Sequence, residues 1–441
     1  MPLFYTQDNR IMCLVCYGIT IYTASDGVNW KSMSLLVMKF GGTSVANVDR
    51  IKRAAKRVAL EVARGNKVIV IVSAMSGKTN ELVNWVNDTS PFYDAREYDA
   101  VVSSGENVTA GLMALTLQEM DIPARSWQGW QVPVRTSSSH SSARIESISS
   151  EAINEKFEQG MRVAVVAGFQ GISKEDRITT LGRGGSDTTA VAFAAAFKAD
   201  RCDIYTDVDG VYTTDPRICD KAKKLDKISY EEMLELASLG AKVLQTRSVE
   251  MAMRFKVKLR VLSSFEEPNE QAGTLVCDEE EIMESNVVSG VAYSRDEAKM
   301  TLLSVADRPG IAAAIFVPLS EAGINVDMII QNIAEGGRTD MTFSCPVDQV
   351  KKAEKSLHNA KEAGLINFQE LIADTNVAKI SAVGIGMRSQ SGVAAKMFQT
   401  LSDEGVNIKV IATSEIKISV LIDRKYLELA VQSLHDAFEL N

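Results

Sequence analysis

The chain is poor in the residues that would make it a metal protein, a disulfide scaffold or a membrane protein. Its three histidines, His140, His358 and His435, are too scattered to propose a metal cage. Six cysteines in 441 residues read as reduced thiols and not as a disulfide framework. Cys13 and Cys16 form a CxxC with no second pair, which disfavours a zinc knuckle. No run of about 20 apolar residues is present, so no segment reads as membrane-spanning. Lys and Arg number 48 against 57 Asp and Glu, a formal charge of -9. That leaves no basic footprint and argues against nucleic acid or an anionic membrane as the main partner. With 46% hydrophobic and 24% charged residues, the composition is ordinary for a soluble globular protein, and the reduced thiols fit a cytoplasmic one. Its length is worth about three domains.

Residues 1–32 carry Arg10 ahead of IMCLVCYGITIY, a weak match to a signal peptide with no clear small-residue cleavage site. They read as a disordered appendage or a misassigned start, and activity is expected to survive a start at Met33. An α/β pattern begins immediately afterwards. Leu35 to Phe40 is a continuous apolar run, as in a buried parallel strand, and it leads into Gly41-Gly42-Thr43-Ser44. Ile51, Ala54, Ala55, Val58 and Val62 recur at helical spacing, Gly65 fits a helix C′ position, and Lys67 to Ser73 reads as the next strand. This βαβ unit places a glycine loop at the C-terminal end of its first strand, where open α/β sheets bind ligands. GxxxxGK[ST] is absent, so the loop is not a P-loop.

The densest signal is Thr179 to Ala190, TTLGRGGSDTTA. Gly182, Gly184 and Gly185 permit a tight turn and close approach to a ligand, Arg183 offers a planar fork for a carboxylate, and Ser186 or Asp187 can cap a helix over Thr188 to Lys198. Helix N-termini attract anions. Asp187 would repel phosphate unless it faced a cation, most simply a lysine. Three further junctions follow the same plan. SSGE at Ser103 to Glu106 precedes a helix from about Asn107 to Met120, with Glu106 open to a reading as a first-turn acid. Met161 to Ala167 and Asp203 to Thr206 read as strands, the second entering a loop rich in aspartate and glycine. Ser229 to Leu239 and Gln245 to Arg254 read as helices, and Leu259 to Ser263 as the strand that closes the sheet.

Lysine, glycines, an arginine, a glutamate and aspartates on strand-end loops suit phosphoryl transfer to a small acid, which asks for positioning and charge neutralisation more than covalent steps. KFGGTS at Lys39 to Ser44, SSGE, TTLGRGGSDTTA, YTDVDGVYTTDPR at Tyr205 to Arg217 and ELASLGAKVLQTRSVEMA at Glu235 to Ala252 stand in one order. In that order they resemble the aspartate kinase (aspartokinase) family of the amino acid kinase superfamily, over roughly Leu35 to the C-terminus. The resemblance implies a three-layer αβα sandwich and assigns roles. Lys39 would stabilise charge on the transferred phosphoryl group, held by Asp187, while Gly41, Gly42 and Ser44 cradle phosphates. Arg183 would grip a substrate carboxylate, Glu106 the α-amino group, and Thr43 and Ser186 would lie close to aspartate and phosphate. Thr206, Asp207, Tyr212, Asp215 and Arg217 would form the nucleotide site, with Lys242 a second phosphate contact. Mg2+ would ride mainly on the ATP phosphates, with no protein ligand assigned. SAMSGKTNEL at Ser73 to Leu82 departs from the family pattern and leaves that loop without a role.

Beyond a polar connection around Pro268, the chain repeats itself. Gly310, Phe316, Leu319, Gly323 and Asn325 stand opposite Gly392, Phe398, Leu401, Gly405 and Asn407 at a constant offset. Each copy reads strand, helix, strand, strand, helix, with further strands at Met341 and Lys417. The repeat resembles paired ACT domains, ferredoxin-like (βαββαβ) modules that bind amino acids. Asp307, Asn325, Asp327, Gln331, Thr413, Ser414 and Glu415 are the implied effector contacts. The tail is similar to the lysine-sensitive branch, which often requires threonine as well. The expected organisation is an extension over 1–32, a catalytic domain over 33–275, and ACT domains over 276–373 and 374–441. The resemblance also implies a homodimer or higher oligomer through the ACT domains, with Met283 a possible start of a separate regulatory chain. Two rivals remain open: a relative acting on glutamate derivatives or carbamate, and an amino-acid-sensing subunit with a dead kinase domain. The ACT pair with SSGE disfavours the first, and Lys39, Arg183 and Asp187 the second.

Overall fold

A computed structural model describes residues 34–239, 243–267, 273–282, 286–333, 337–388 and 390–441. Leu35–Phe40, Lys67–Val72 and Val163–Ala167 are apolar on both faces and form buried strands at the centre of an eight-stranded sheet. Its order is Lys227–Ser229, Thr274–Cys277, Leu259–Ser263, Arg201–Thr206, Leu35–Phe40, Lys67–Val72, Val163–Ala167 and Ala124–Trp127. Helices Val48–Ala63 and Ser104–Glu119 cover one face, where Phe40, Ile51, Val70, Met113 and Leu117 share a core. Gly185–Ala196, Tyr230–Ser238 and Thr246–Phe255 cover the other, around Val37, Ile71, Phe193, Met233 and Val249. Three layers, αβα, result.

The boundaries follow local chemistry. Asn47 accepts from the Arg50 N–H at the start of Val48–Ala63, and Gly65 at φ +92° ends it. Leu259–Ser263 does not close the sheet. Gly273, at φ +86°, turns so tightly that a Cβ there would lie 2.1 Å from the Val261 carbonyl oxygen, and Thr274–Cys277 returns antiparallel beside Leu259–Val261. A smaller sheet is ordered Ile145–Ile148, Val134–Thr136, Gln170–Ile172 and Ile178–Thr180.

The C-terminal repeat forms a six-stranded sheet ordered Ile329–Ile333, Arg338–Pro346, Gly290–Ala306, Glu370–Val383, Lys417–Asp423 and Ile408–Thr413. Helices Ile311–Glu321 and Val350–Glu362 pack on its first half, and Val393–Asp403 and Leu427–Ala437 on its second. Two long strands serve both halves. Glu297–Ala306 pairs with Arg338–Pro346, whereas Gly290–Ser294 pairs with Lys379–Val383. Val288 and Val291 accordingly join the core of the second half. The last strand of the second βαββαβ unit therefore comes from ahead of the first unit. The limits expected at 276 and 374 fall inside the strands Thr274–Cys277 and Glu370–Val383.

Candidate active site

Lys39 sits one residue before the end of its strand, opposite Ile71 and Ile204 on the flanking strands. Its side chain is 10% exposed, and Nζ lies 2.5 Å from Oδ1 of Asp187, itself 11% exposed. A pair so far out of water persists only because each charge answers the other. The loop beyond has room for glycine. A Cβ on Gly41 would stand 3.3 Å from the Lys39 Nζ, and one on Gly42 3.1 Å from the Ala74 carbonyl oxygen.

Asp187 comes from the first turn of Gly185–Ala196. The expected side-chain cap is not formed: the N-cap is Gly184, at φ +71°, and Ser186 and Asp187 lie inside the helix. Gly182 is also left-handed, at φ +75°. A Cβ on Gly184 would fall 1.9 Å from Cγ of Gln245, so the close packing of the 246–255 helix start dictates glycine there. Arg183 is held out between them, exposed and without an ion-pair partner among the described residues.

Glu106 lies in the first turn of Ser104–Glu119, but it is more than a dipole-favoured acid. It is 3% exposed, its Oε1 accepts from the Ala74 N–H at 3.0 Å, and its Oε2 is buried without a partner among the described residues. Burial pushes its pKa up to about 7, against the opposing pull of the Ala74 N–H. An unpaired buried carboxylate oxygen beside a cavity is a receptor for a cationic group.

Lys39, Gly41, Gly42, Thr43, Glu106, Arg183, Ser186, Asp187 and Thr206 line one cavity of about 710 Å³. Ser44 does not reach it; its hydroxyl donates to the Tyr205 carbonyl at 3.3 Å. Asp207, Tyr212, Asp215 and Arg217 lie on the adjoining loop, outside that lining. There Thr206 Oγ1 donates to Asp207 at 3.1 Å and Tyr212 donates to Asp209 at 3.0 Å. Asp215 pairs with Arg217 at 2.7 Å and accepts from the Tyr293 hydroxyl at 2.8 Å. The Arg217 hydrogen bond foremost holds the Asp215 carboxyl down at about 2. Lys242 lies outside the described residues, as do residues 1–33 and Met283. The cavity also takes in residues without an assigned role, among them Ser73 to Gly77, Tyr98, Ser141 and Thr180. In sequence Ser73 to Gly77 is marked only by the SAMSGKT departure and Thr180 only by its place in TTLGRGGSDTTA, while Tyr98 and Ser141 are isolated residues on separate elements.

Residues 34–263 match the amino acid kinase family, and 299–362 and 380–438 each match the ACT domain. Over 410 residues the chain is 53% identical to the aspartate kinase of Stutzerimonas stutzeri, covering 93% of this chain and 98% of that one. The chain belongs to the aspartate kinase family. It is an ATP-dependent kinase of that family. Among solved aspartokinase structures it is similar to E. coli aspartokinase III in complex with aspartate and ADP in the R-state. That likeness has TM-score 0.75 and 26% identity, over 91% of this chain and 99% of the other. The same enzyme in complex with lysine and aspartate in the T-state gives TM-score 0.72, again at 26% identity, over 92% and 99%. Among the described residues no helix is long and apolar enough to cross a membrane.

The aspartate kinase fold leaves the candidate effector residues at the surface. Asp307, Asn325, Asp327, Gln331, Thr413, Ser414 and Glu415 are all exposed. Asp327 pairs at 2.5 Å with Lys379, a buried residue that also meets Glu297 at 2.9 Å. Glu415 lies 3.6 Å from Arg388. The strands bearing Gln331 and Thr413 pack together through Met328, Ile330, Val410, Ala412 and Leu421.

Proposed function

We propose that this chain transfers the γ-phosphoryl group of ATP to the β-carboxylate of L-aspartate, giving 4-phospho-L-aspartate at the entry to lysine, threonine and methionine synthesis. The observation that carries the reading is one cavity holding both the buried Lys39–Asp187 pair and a buried carboxylate, Glu106, with an unpartnered oxygen. It contains sites of both signs, as a zwitterionic substrate and a polyphosphate require.

The step needs no base, because a β-carboxylate is already ionised at neutral pH. One of its oxygens attacks the γ-phosphorus in line, the bond to the β,γ-bridging oxygen breaks, and ADP leaves with the electron pair. Lys39 meets the charge that gathers on the equatorial oxygens, and Asp187 fixes its ammonium. Glu106 receives the α-ammonium, Arg183 a carboxylate, and Thr43 and Ser186 lie beside aspartate and phosphate. Gly41, Gly42 and Ser44 form the phosphate loop, Ser44 by holding its shape through Tyr205. Thr206, Asp207, Tyr212, Asp215 and Arg217 form the nucleotide wall, joined by Lys242. Among the described residues no three acid, histidine or cysteine side chains converge to hold a metal ion. Mg2+ would be carried mainly by the ATP phosphates, whose charge it would neutralise.

We further propose lysine, alone or with threonine, as the effector of the ACT pair, in a cytoplasmic homodimer or higher oligomer. Support comes from the match of both ACT domains and from the related E. coli enzyme's complex with lysine. Measuring ATP consumption with aspartate, glutamate, N-acetylglutamate and carbamate, and trapping the acyl phosphate with hydroxylamine, tests the reading. Turnover with aspartate alone is the expected result. Preference for another acceptor, or no turnover with any, overturns it.

A further inference from the structure

Asp99 is wholly buried in the helix Ala95–Val102, behind the candidate site. A carboxylate there is stable only if donors surround it, and three converge. His140 Nδ1 lies 2.7 Å from Oδ2, Thr180 Oγ1 donates to Oδ1 at 2.5 Å, and the Ser141 N–H lies 3.1 Å from both oxygens. The imidazole serves this set through an Nδ1–H, since the oxygen facing it can only accept.

These donors flank the turn that presents Arg183. Thr180 stands just before Leu181-Gly182, and the Ser141 carbonyl oxygen would be 3.2 Å from a Cβ on Gly182. Ser141 itself is held at φ +65°, a left-handed conformation that a serine adopts only under restraint, against a Gly182 at φ +75°. Both Ser141 and Thr180 line the cavity. Arg247 reinforces the same seam by donating to the Leu181 and Ala143 carbonyls at 3.0 and 2.8 Å.

We infer that Asp99 and His140 are a positioning pair for the carboxylate substrate. Through Ser141 and Thr180 they fix the Gly182–Gly184 turn and hence the aim of Arg183, setting substrate affinity and not the rate of phosphoryl transfer. The inference rests on the kinase reading above. The step asks no base of His140, because the phosphoryl acceptor is an ionised carboxylate with no proton to lose.

Steady-state kinetics of His140→Ala, His140→Asn and Thr180→Val, with melting temperatures, test it. His140→Ala is expected to raise aspartate KM by about tenfold, the size of one hydrogen bond to a charged group, with kcat and ATP KM within about twofold. His140→Asn, whose amide N–H can stand where Nδ1–H stood, should recover most of that loss. Thr180→Val removes one donor without emptying the site and should raise aspartate KM by a smaller factor, so a His140→Ala that fails to fold does not end the test. Unchanged aspartate KM in folded variants, or parallel loss in aspartate KM, ATP KM and kcat, overturns the inference. A wild-type protein with no aspartate-dependent turnover would instead overturn the proposed function.

Discussion

At the scale of single residues, the site separates into charges that act on the transition state and charges that act on binding. Lys39, buried against Asp187, meets the moving phosphoryl group, so Lys39→Ala is expected to lower kcat by about a hundredfold or more. Arg183, exposed and unpaired among the described residues, should act largely through aspartate KM when replaced by alanine. Near wild-type kinetics in both variants would remove the assignment. Glu106 gives a second test, through pH. Its pKa rises from 4.5 to about 7 because burial disfavours the charge. Between those values the folded chain keeps a proton that the unfolded chain has released, so rising pH through that window weakens the fold, by roughly 3 kcal/mol in all. Glu106→Gln cannot ionise. It is expected to melt with the wild type near pH 4.5 and several degrees above it at pH 8, with thermal unfolding as the measurement. Its aspartate KM should be high and flat with pH, whereas wild-type KM should climb as pH falls below about 7, because an ammonium ligand needs the ionised form. A variant less stable than wild type at pH 8 would show that contacts to the carboxylate outweigh its burial.

At the scale of elements, the loop between Arg201–Thr206 and Lys227–Ser229 is held from outside the catalytic sheet. Val291 N–H donates to the Thr213 carbonyl at 2.8 Å, Thr213 Oγ1 meets His435 Nε2 at 2.9 Å, and Lys221 pairs with Asp436 at 2.7 Å. With the Tyr293 bond to Asp215, these tie the proposed nucleotide wall to the strand Gly290–Ala306 and the helix Leu427–Ala437. Tyr293→Phe is therefore expected to raise ATP KM several-fold, the effect of losing a hydrogen bond to a charge, and to spare aspartate KM. An unchanged ATP KM would place the nucleotide elsewhere. This strap was not legible in the sequence, because the repeat shows two copies but not that one strand crosses between them. The central strands were legible, since 35–40, 67–72 and 163–167 are buried on both faces and read as near-continuous apolar runs. Strands of three or four residues such as Val134–Thr136 and Ile178–Thr180 are too short to show a period. The Lys39 and Arg183 loops announced themselves through glycine. Asp99 and His140, 41 positions apart on a helix and a turn, carry no such mark.

At the scale of the whole molecule, an amino acid bound to the repeat can inhibit only if it binds one arrangement of the catalytic and ACT parts better than another. Lysine, alone or with threonine, is expected to raise aspartate KM or lower kcat when titrated at sub-saturating aspartate. The choice of variant matters. Asp327 is already bound to Lys379, which is buried and shares its charge with Glu297, so Asp327→Ala would leave that lysine half-neutralised and disturb the seam between the two halves. Loss of inhibition in that variant would mix effector binding with packing. Gln331 is exposed, and its side chain carries no such ion pair, so Gln331→Ala is the cleaner probe. It should shift the inhibition curve to higher effector concentration by about tenfold, the value of one well-made hydrogen bond to a charged ligand, while the melting temperature stays put. If the wild-type rate is unchanged at millimolar lysine and threonine, singly and together, the repeat does not sense these amino acids. The strap on the nucleotide loop would then be a purely structural tie.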